Sequence, residues 1–299
     1  MRYFDIKTLK FLMIIISLIF LPTIARPEKP NNPRLFIGYS SKTFLDVDMK
    51  DAVAALDVWV NELSAKEGFI AQNKIYEDLS LLVKDFQQGN LDFGIVKSLD
   101  YLKIRKGLHS ELAMTYMKGG KKTIRYYILV RYDSGITGIH GLRNKRLSMR
   151  RGDDMGLLFM NTLLLKNRQP EADKSFSYID NKIRSSQVIL SVFFGQSDVC
   201  ITTDVAYRTM IELNPQVKEN LKIISSSDEL VEGVNFFRKD YDEHNKKIVL
   251  DRSQTLKDTA RGKQILLLFK IDKVALVGEK DLDTVKSLVS EYEMLRKKK

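Results

Sequence analysis

The stretch Ile124 to Gly156, IRYYILVRYDSGITGIHGLRNKRLSMRRGDDMG, constrains the fold most, because it reads without interruption as strand, turn, short strand, loop and helix start. Tyr126 to Arg131 is β-branched and aromatic with no breaker, the composition of a buried strand. Asp133-Ser134-Gly135 and the run from Gly138 to Gly141 end it. Lys145 to Met149 is a second short strand, and Arg150-Arg151-Gly152-Asp153-Asp154 turns into an apolar helix. A strand that ends in a polar, glycine-containing loop at a helix N-terminus is a place where α/β proteins bind ligands. The first-turn N–H groups are unpaired there and the helix dipole favours negative charge.

The same alternation runs through the rest of the chain. Strands are expected at 35–39, 69–76, 90–96, 111–117, 176–179, 198–202, 221–225 and 231–237. Helices are expected at about 46–66, 77–88, 99–106, 154–167, 185–194 and 204–213, and a mostly helical stretch follows Tyr241. In the first of these helices Met49, Ala52, Val53, Leu56, Val60 and Leu63 recur at helical spacing, and Gly68 stops it. Strands and helices alternating at this length predict an α/β protein with parallel sheets. An internal echo points to two similar halves. Gln88-Gly89-Asn90-Leu91-Asp92 and Phe194-Gly195-Gln196-Ser197-Asp198 each end an amphipathic helix on Gly, place an Asp three residues later and enter a buried strand.

The 299 residues suffice for one large or two medium domains. Residues 1–25 read as a secretory signal peptide: Arg2, Lys7 and Lys10 precede the apolar run Phe11 to Leu21, and small residues lead to a cut after Ala25. The apolar run falls short of the ~20 residues that span a bilayer, so an exported, soluble, periplasmic or extracellular protein is expected, with 26–33 as a linker. The lone Cys200 excludes an internal disulfide and, far from the cut, a lipid anchor. Its apolar setting in VCIT reads as a buried strand position. Three scattered histidines, His109, His140 and His244, make no metal set. The formal charge of +11 could favour anionic ligands, a membrane surface or nucleic acid. Export argues against nucleic acid, and Arg296 to Lys299 reads as a solvated tail.

The order of GNLDFGI, a helix containing Tyr101, YYILVRYDSGI, GLRNKRLSM, FFGQSDVCITTD and NLKIISSS resembles the exported solute-binding proteins of ABC transporters, in particular the phosphate/phosphonate-binding branch of the type II fold. The resemblance spans about Leu35 to Leu295. It implies two α/β lobes with a ligand cleft between them, lobe 1 being 34–126 plus 235–299 and lobe 2 being 127–234. The lobes would be joined by two crossing strands, Tyr126 to Arg131 and Val231 to Phe237. It also implies a monomer that serves a membrane ABC permease. Where that branch carries a Ser-Thr-Ser-Gly run, this chain has Arg150 to Gly156 without a hydroxyl. Where it places Ser-His, this chain has Ser185-Ser186-Gln187. The fold carries over; the phosphonate does not follow from it.

Such a cleft is lined by loops at the C-terminal ends of strands. The candidates are Ser40, Ser41 and Lys42; Tyr76; Lys97 and Ser98; Arg150, Arg151, Asp153 and Asp154; Ser185, Ser186 and Gln187; and Thr203 and Asp204. A single hydroxyl at a helix start is most simply an N-cap worth roughly 1 kcal/mol. Several such loops in one α/β protein also aim backbone N–H groups at a shared space. The Arg150-Arg151 pair can fork a carboxylate or phosphate. Asp153 and Asp154 suit a helix N-terminus; facing the cleft, they would oppose a plain anion and favour a ligand with a cationic group. Tyr101, Tyr126, Tyr127 and Trp59 read as packing residues. No G-x-S-x-G, H-E-x-x-H or P-loop is present, and no cofactor is implied. The expected function is capture of a small polar, anionic or zwitterionic ligand by lobe closure for an ABC permease. The alternative is a sensing or protein-interaction module of the same fold, reporting to a membrane sensor.

Overall fold

The computed structural model describes residues 32–298; the expected signal peptide at 1–25 and most of the expected linker at 26–33 lie outside them. Eleven strands among these residues form two sheets. They are β1 (Arg34–Ser40), β2 (Ile70–Tyr76), β3 (Phe93–Lys97), β4 (Ser110–Met117), β5 (Tyr126–Arg131), β6 (Arg146–Arg150), β7 (Tyr178–Lys182), β8 (Val199–Thr203), β9 (Leu221–Ser226), β10 (Gly233–Arg238) and β11 (Lys273–Leu276). The first sheet has the order β11-β4-β10-β3-β1-β2 and the second β7-β6-β8-β5-β9. The α-helices between them are α1 (Met49–Glu67), α2 (Leu79–Gln87), α3 (Ser98–Ile104), α4 (Asp154–Lys166), α5 (Ala172–Ser175), α6 (Ser185–Phe193), α7 (Asp204–Leu213), α8 (Gln216–Asn220), α9 (Glu243–Gln254), α10 (Ala260–Leu268) and α11 (Asp283–Lys297).

The halves share one plan. In each, three parallel strands (β2-β1-β3 and β7-β6-β8) meet an antiparallel fourth, β10 in the first sheet and β5 in the second. The two sheets are therefore mixed, not parallel throughout as the alternation suggested. The fourth strand of each sheet is the one that follows the chain's passage from the other sheet, and it enters from the opposite end.

Three further expectations are corrected. Tyr126 to Arg131 lies wholly in the second sheet and Gly233 to Arg238 wholly in the first. The crossings are thus the short segments 118–125 and 227–232, which pair antiparallel through Ile124 and Leu230. The strands themselves are held in their sheets on both sides by full ladders, so the change of sheet falls where the ladder is a single bridge. Second, β11 interrupts the expected helical stretch and pairs with β4; four residues are too few to show a period. Third, α11 follows β11 of the first sheet but packs against α4 of the second half. Val285 is fully buried there, with Leu288 and Val289 against the same cluster, and Lys166 Nζ meets Glu291 at 2.8 Å. The apolar stripe of α11, rather than its place in the chain, decides which half it covers.

The cores follow this division. Leu35, Ile37, Phe93 and Phe237 bury one face of the first sheet beneath Trp59 and Leu63 of α1. Tyr101 joins Phe86 and Phe236 on the other face. In the second half Ile128, Val130, Leu147 and Val199 pack beneath Met160 and Leu164 of α4, while Leu129 and Cys200 face α6 and α7. Burial pushes the Cys200 thiol up, which leaves it a protonated core residue and not a nucleophile. No helix among the described residues is long and apolar enough to cross a membrane.

Candidate functional site

The C-terminal ends of β1, β3 and β6 come together between the sheets, and what meets there is a network of charges. Arg150, the last residue of β6, is buried, and its Nη1 donates to Asp46 Oδ2 at 2.5 Å. Asp46 comes from the loop after β1 in the other half. It is free to reach across because α1 starts later than the periodicity suggested: Asp48 caps it by accepting from Lys50 N at 2.8 Å. Asp46 also accepts from the backbone N of Ser185 at 3.1 Å and from its Oγ at 3.0 Å. Burial works against the charge on Asp46, but Arg150 and Ser185 outweigh it and hold the carboxyl below the usual aspartate range.

A second carboxylate, Glu232, lies just before β10. Lys97 Nζ, at the end of β3, donates to its Oε1 at 2.7 Å, and Lys118 Nζ, just past β4, donates to its Oε2 at 2.9 Å. Arg150 Nη2 stands 3.9 Å from Oε1. Burial alone would push Glu232 up, yet Lys118, Lys97 and Arg150 hold it well below its usual range. Burial and the neighbouring cations lower Lys97, with Glu232 opposing them. Around Arg150, burial is overcome by Asp153, Asp46 and Glu232, which keep the guanidinium charged. Its Nε makes no hydrogen bond.

The third carboxylate is Asp153, the N-cap of α4. Its Oδ1 accepts from Gly156 N at 3.2 Å and from the Tyr126 hydroxyl at 2.6 Å, and its Oδ2 lies 3.5 Å from Arg150 Nη2. Burial and then the Asp153 charge keep the Tyr126 phenol protonated. Lys42 of the first half meets Asp154 of the second at 2.6 Å. The N-termini of α4 and α6, where a helix offers unpaired N–H groups to an anion, are thus occupied by the chain's own Asp153 and Asp46. The space enclosed between Lys42, Lys97, Tyr126, Asp153 and Glu232 measures about 20 Å³, enough for one water molecule.

Of the residues singled out by sequence, Lys97, Arg150, Asp153, Asp154 and Ser185 belong to this network. Ser98 borders it: its Oγ donates to the Val231 carbonyl, tying α3 to the returning crossing segment. Ser40 is buried at the end of β1, and its carbonyl accepts from Thr43. The others serve elsewhere. Ser41 bonds Glu77 at 2.9 Å. Tyr76 is a core residue whose hydroxyl donates to Asp85 at 2.5 Å, with the phenol pushed up to about 12 by burial and Asp85. Arg151 is exposed, beside Asp180 and Gln187. Gln187 bonds back to Arg184 N at 3.2 Å in a cap, and Ser186 is half-buried beside it. Thr203 caps α7 through Ala206 N, and Asp204 accepts from Arg125 N at 2.9 Å in the crossing segment. Asp46, Glu232 and Lys118 went unrecognised, as did Tyr126 as a cleft residue; only the position of Lys97 and Arg150 at strand ends signalled the place.

Residues 44–282 match the family described as "ABC transporter, phosphonate, periplasmic substrate-binding protein". Three solved structures share the fold. A binding protein component of an ABC phosphonate transporter from Pseudomonas aeruginosa is 14% identical with TM-score 0.64, over 89% of this chain and 88% of that one. A Xanthomonas citri protein bound to ATP is 15% identical with TM-score 0.65, over 88% and 98%. PhnD1 from Prochlorococcus marinus in complex with methylphosphonate is 16% identical with TM-score 0.64, over 88% and 99%. No curated protein matches by sequence. With two α/β halves around a charged cleft and most of its length matched, the chain belongs to the periplasmic substrate-binding proteins of the phosphonate ABC transporter family, proteins that bind a solute rather than transform it.

Proposed function

We propose that this protein captures a small zwitterion, an oxyanion head group joined to an ammonium, in the cleft between Arg150 and Glu232, and delivers it as a monomer to an ABC permease. The observation that carries the reading is the composition of the cleft lining. Four carboxylates, Asp100, Asp153, Asp154 and Glu232, stand there against two ammonium groups, Lys42 and Lys97. Each of these acids already has a cationic neighbour: Lys103 for Asp100, Arg150 for Asp153, Lys42 for Asp154, and Lys97 with Lys118 for Glu232. A bare phosphonate or phosphate must therefore displace a carboxylate, whereas a ligand that also carries an ammonium gives the displaced carboxylate a partner. Arg150 lies buried behind this lining with Nε unspent, and once the halves part it would supply the oxyanion end. A relative of the same fold holds methylphosphonate, which makes that kind of head group the natural starting point.

Entry requires the halves to part. Opening would separate Asp46 from Arg150 and Ser185, and Lys42 from Asp154, about the segments 118–125 and 227–232. Those contacts favour closure before any solute arrives, so apparent affinity depends on the open–closed balance as well as on ligand contacts. The same self-made closure favours a second reading, a sensing or protein-interaction module of the family's fold.

A thermal-shift screen over phosphonates, aminoalkylphosphonates, phosphate, sulfonates and amino acids tests the first reading. The expected result is a shift confined to ligands that bear an ammonium and abolished by Arg150→Ala. A flat response across the screen by cooperatively melting protein would favour the second reading.

A further inference from the structure

Glu232 has more cationic neighbours than one carboxylate requires. Lys97 and Lys118 each donate to a different oxygen of it, at 2.7 and 2.9 Å, and Arg150 approaches from the other half at 3.9 Å. These cations come from the ends of β3, β4 and β6. Glu232 itself is 7% exposed. Its backbone is fixed: its carbonyl accepts from Ser98 N at 3.1 Å and the preceding carbonyl accepts from Ser98 Oγ. The next residue is Gly233, where a Cβ would stand 2.7 Å from the Tyr116 hydroxyl, so a larger residue would have to displace that ring. Burial and then the Glu232 charge hold the Tyr116 phenol protonated. Arg150 is shared with Asp46 and Asp153, but Lys97 and Lys118 both direct their ammonium groups at Glu232. Since a buried pair of this kind adds little net stability over an apolar replacement, gathering cations about this acid at a cleft is not explained by folding alone.

We propose that the Glu232 carboxylate is a built-in occupant of an oxyanion subsite formed by Lys97, Lys118 and Arg150, and that it sets the specificity of the cleft by keeping bare oxyanions out. Ammonium and guanidinium groups arranged about a planar, two-oxygen anion would serve a tetrahedral oxyanion equally well. With the subsite filled from within, a free phosphate or sulfate must compete with a tethered carboxylate at high effective concentration. The inference rests on the cleft being the ligand site, as proposed above.

The test is calorimetric titration of inorganic phosphate, at low salt, into the wild-type protein and Glu232→Gln, which keeps the size and one acceptor and removes the charge. The inference expects phosphate to bind the variant at least about tenfold more tightly than the wild type, and the gain to disappear in Glu232→Gln/Lys118→Met. Equal phosphate binding by wild type and Glu232→Gln, whether weak or strong, overturns it. Should Glu232→Gln lose its cooperative melt, refolding in phosphate gives the answer: recovery of the melt supports the inference and no recovery overturns it. A gain in phosphate binding stands whether or not the wild type is found to bind an ammonium-bearing ligand, which separates this outcome from failure of the proposed function.

Discussion

Arg34, Gly89 and Asp92 in one half and Arg146, Gly195 and Asp198 in the other build the same junction at the starts of β1 and β6. In each, the arginine grips the aspartate with Nε and Nη2 and also donates to the glycine carbonyl, while the aspartate accepts a backbone N–H from the start of the neighbouring strand. Both glycines sit at positive φ, 74° and 71°, where the helix must turn back within three residues. At the opposite ends of the same strands the halves part company. The first half sends Lys42, Asp46 and Lys97 into the cleft and the second sends Arg150, Asp153 and Ser185. A junction that only holds strands together is repeated; ends that must complement one another across a cleft cannot be copies.

The junctions differ in one respect that can be measured. The Asp92 carboxylate is 2% exposed and has Arg238 as a second arginine at 3.8 Å, whereas Asp198 is 31% exposed and, among the described residues, forms an ion pair with Arg146 only. Asp92→Ala is expected to have the largest effect, a loss of about 2 kcal/mol in urea unfolding, because it takes the acceptor from the Phe36 N–H and the Arg34 fork at a carboxylate site that water does not reach. Asp198→Ala should lose about 1 kcal/mol, water replacing part of what is removed. Equal losses would show that the halves share more than geometry.

Asp46→Asn tests the cleft end. Its loss should be near 1 kcal/mol at neutral pH. Because Arg150 and Ser185 depress the Asp46 carboxyl in the folded protein, the stabilisation is present above the ordinary aspartate value of about 3.9 and is lost as pH falls through the lower folded value. The gap in melting temperature between wild type and Asp46→Asn should therefore be steady near neutrality and close on acidification below about pH 4. A gap that widens with acid would contradict the assignment of Asp46 as the ionised latch. Arg151→Ala should have the smallest effect, within about 0.5 kcal/mol, and no effect on ligand binding, since the side chain points away from the network its neighbour Arg150 anchors.

The same contrast explains how much could be read from the chain. The junctions were visible because helix end, glycine, aspartate and buried strand fall within a few residues, and the strands and helices around them carry clear periods. The cleft was visible only as a place. Asp46 passed for the first residue of a helix and Glu232 for the start of a strand, because their partners lie 104 and 135 residues away. Nothing local marks an acid that will be paired across two sheets. The polar edge strand β7, YIDNK, and the short β11 were displaced or missed for a related reason: neither has an alternating apolar face to announce it.

The most direct test of the account is a matched pair. An aminoalkylphosphonate and the alkylphosphonate of the same length, titrated calorimetrically into the wild-type protein, differ only in the ammonium, which on the proposed function the lining carboxylates Asp100, Asp153, Asp154 and Glu232 would receive. A charge-assisted hydrogen bond to a buried carboxylate is worth about 1.5–3 kcal/mol, so the amino compound should bind roughly ten- to a hundredfold more tightly. Equal binding, or tighter binding of the plain alkylphosphonate, would contradict the claim that this cleft carries its own anions and asks its ligand for a cation.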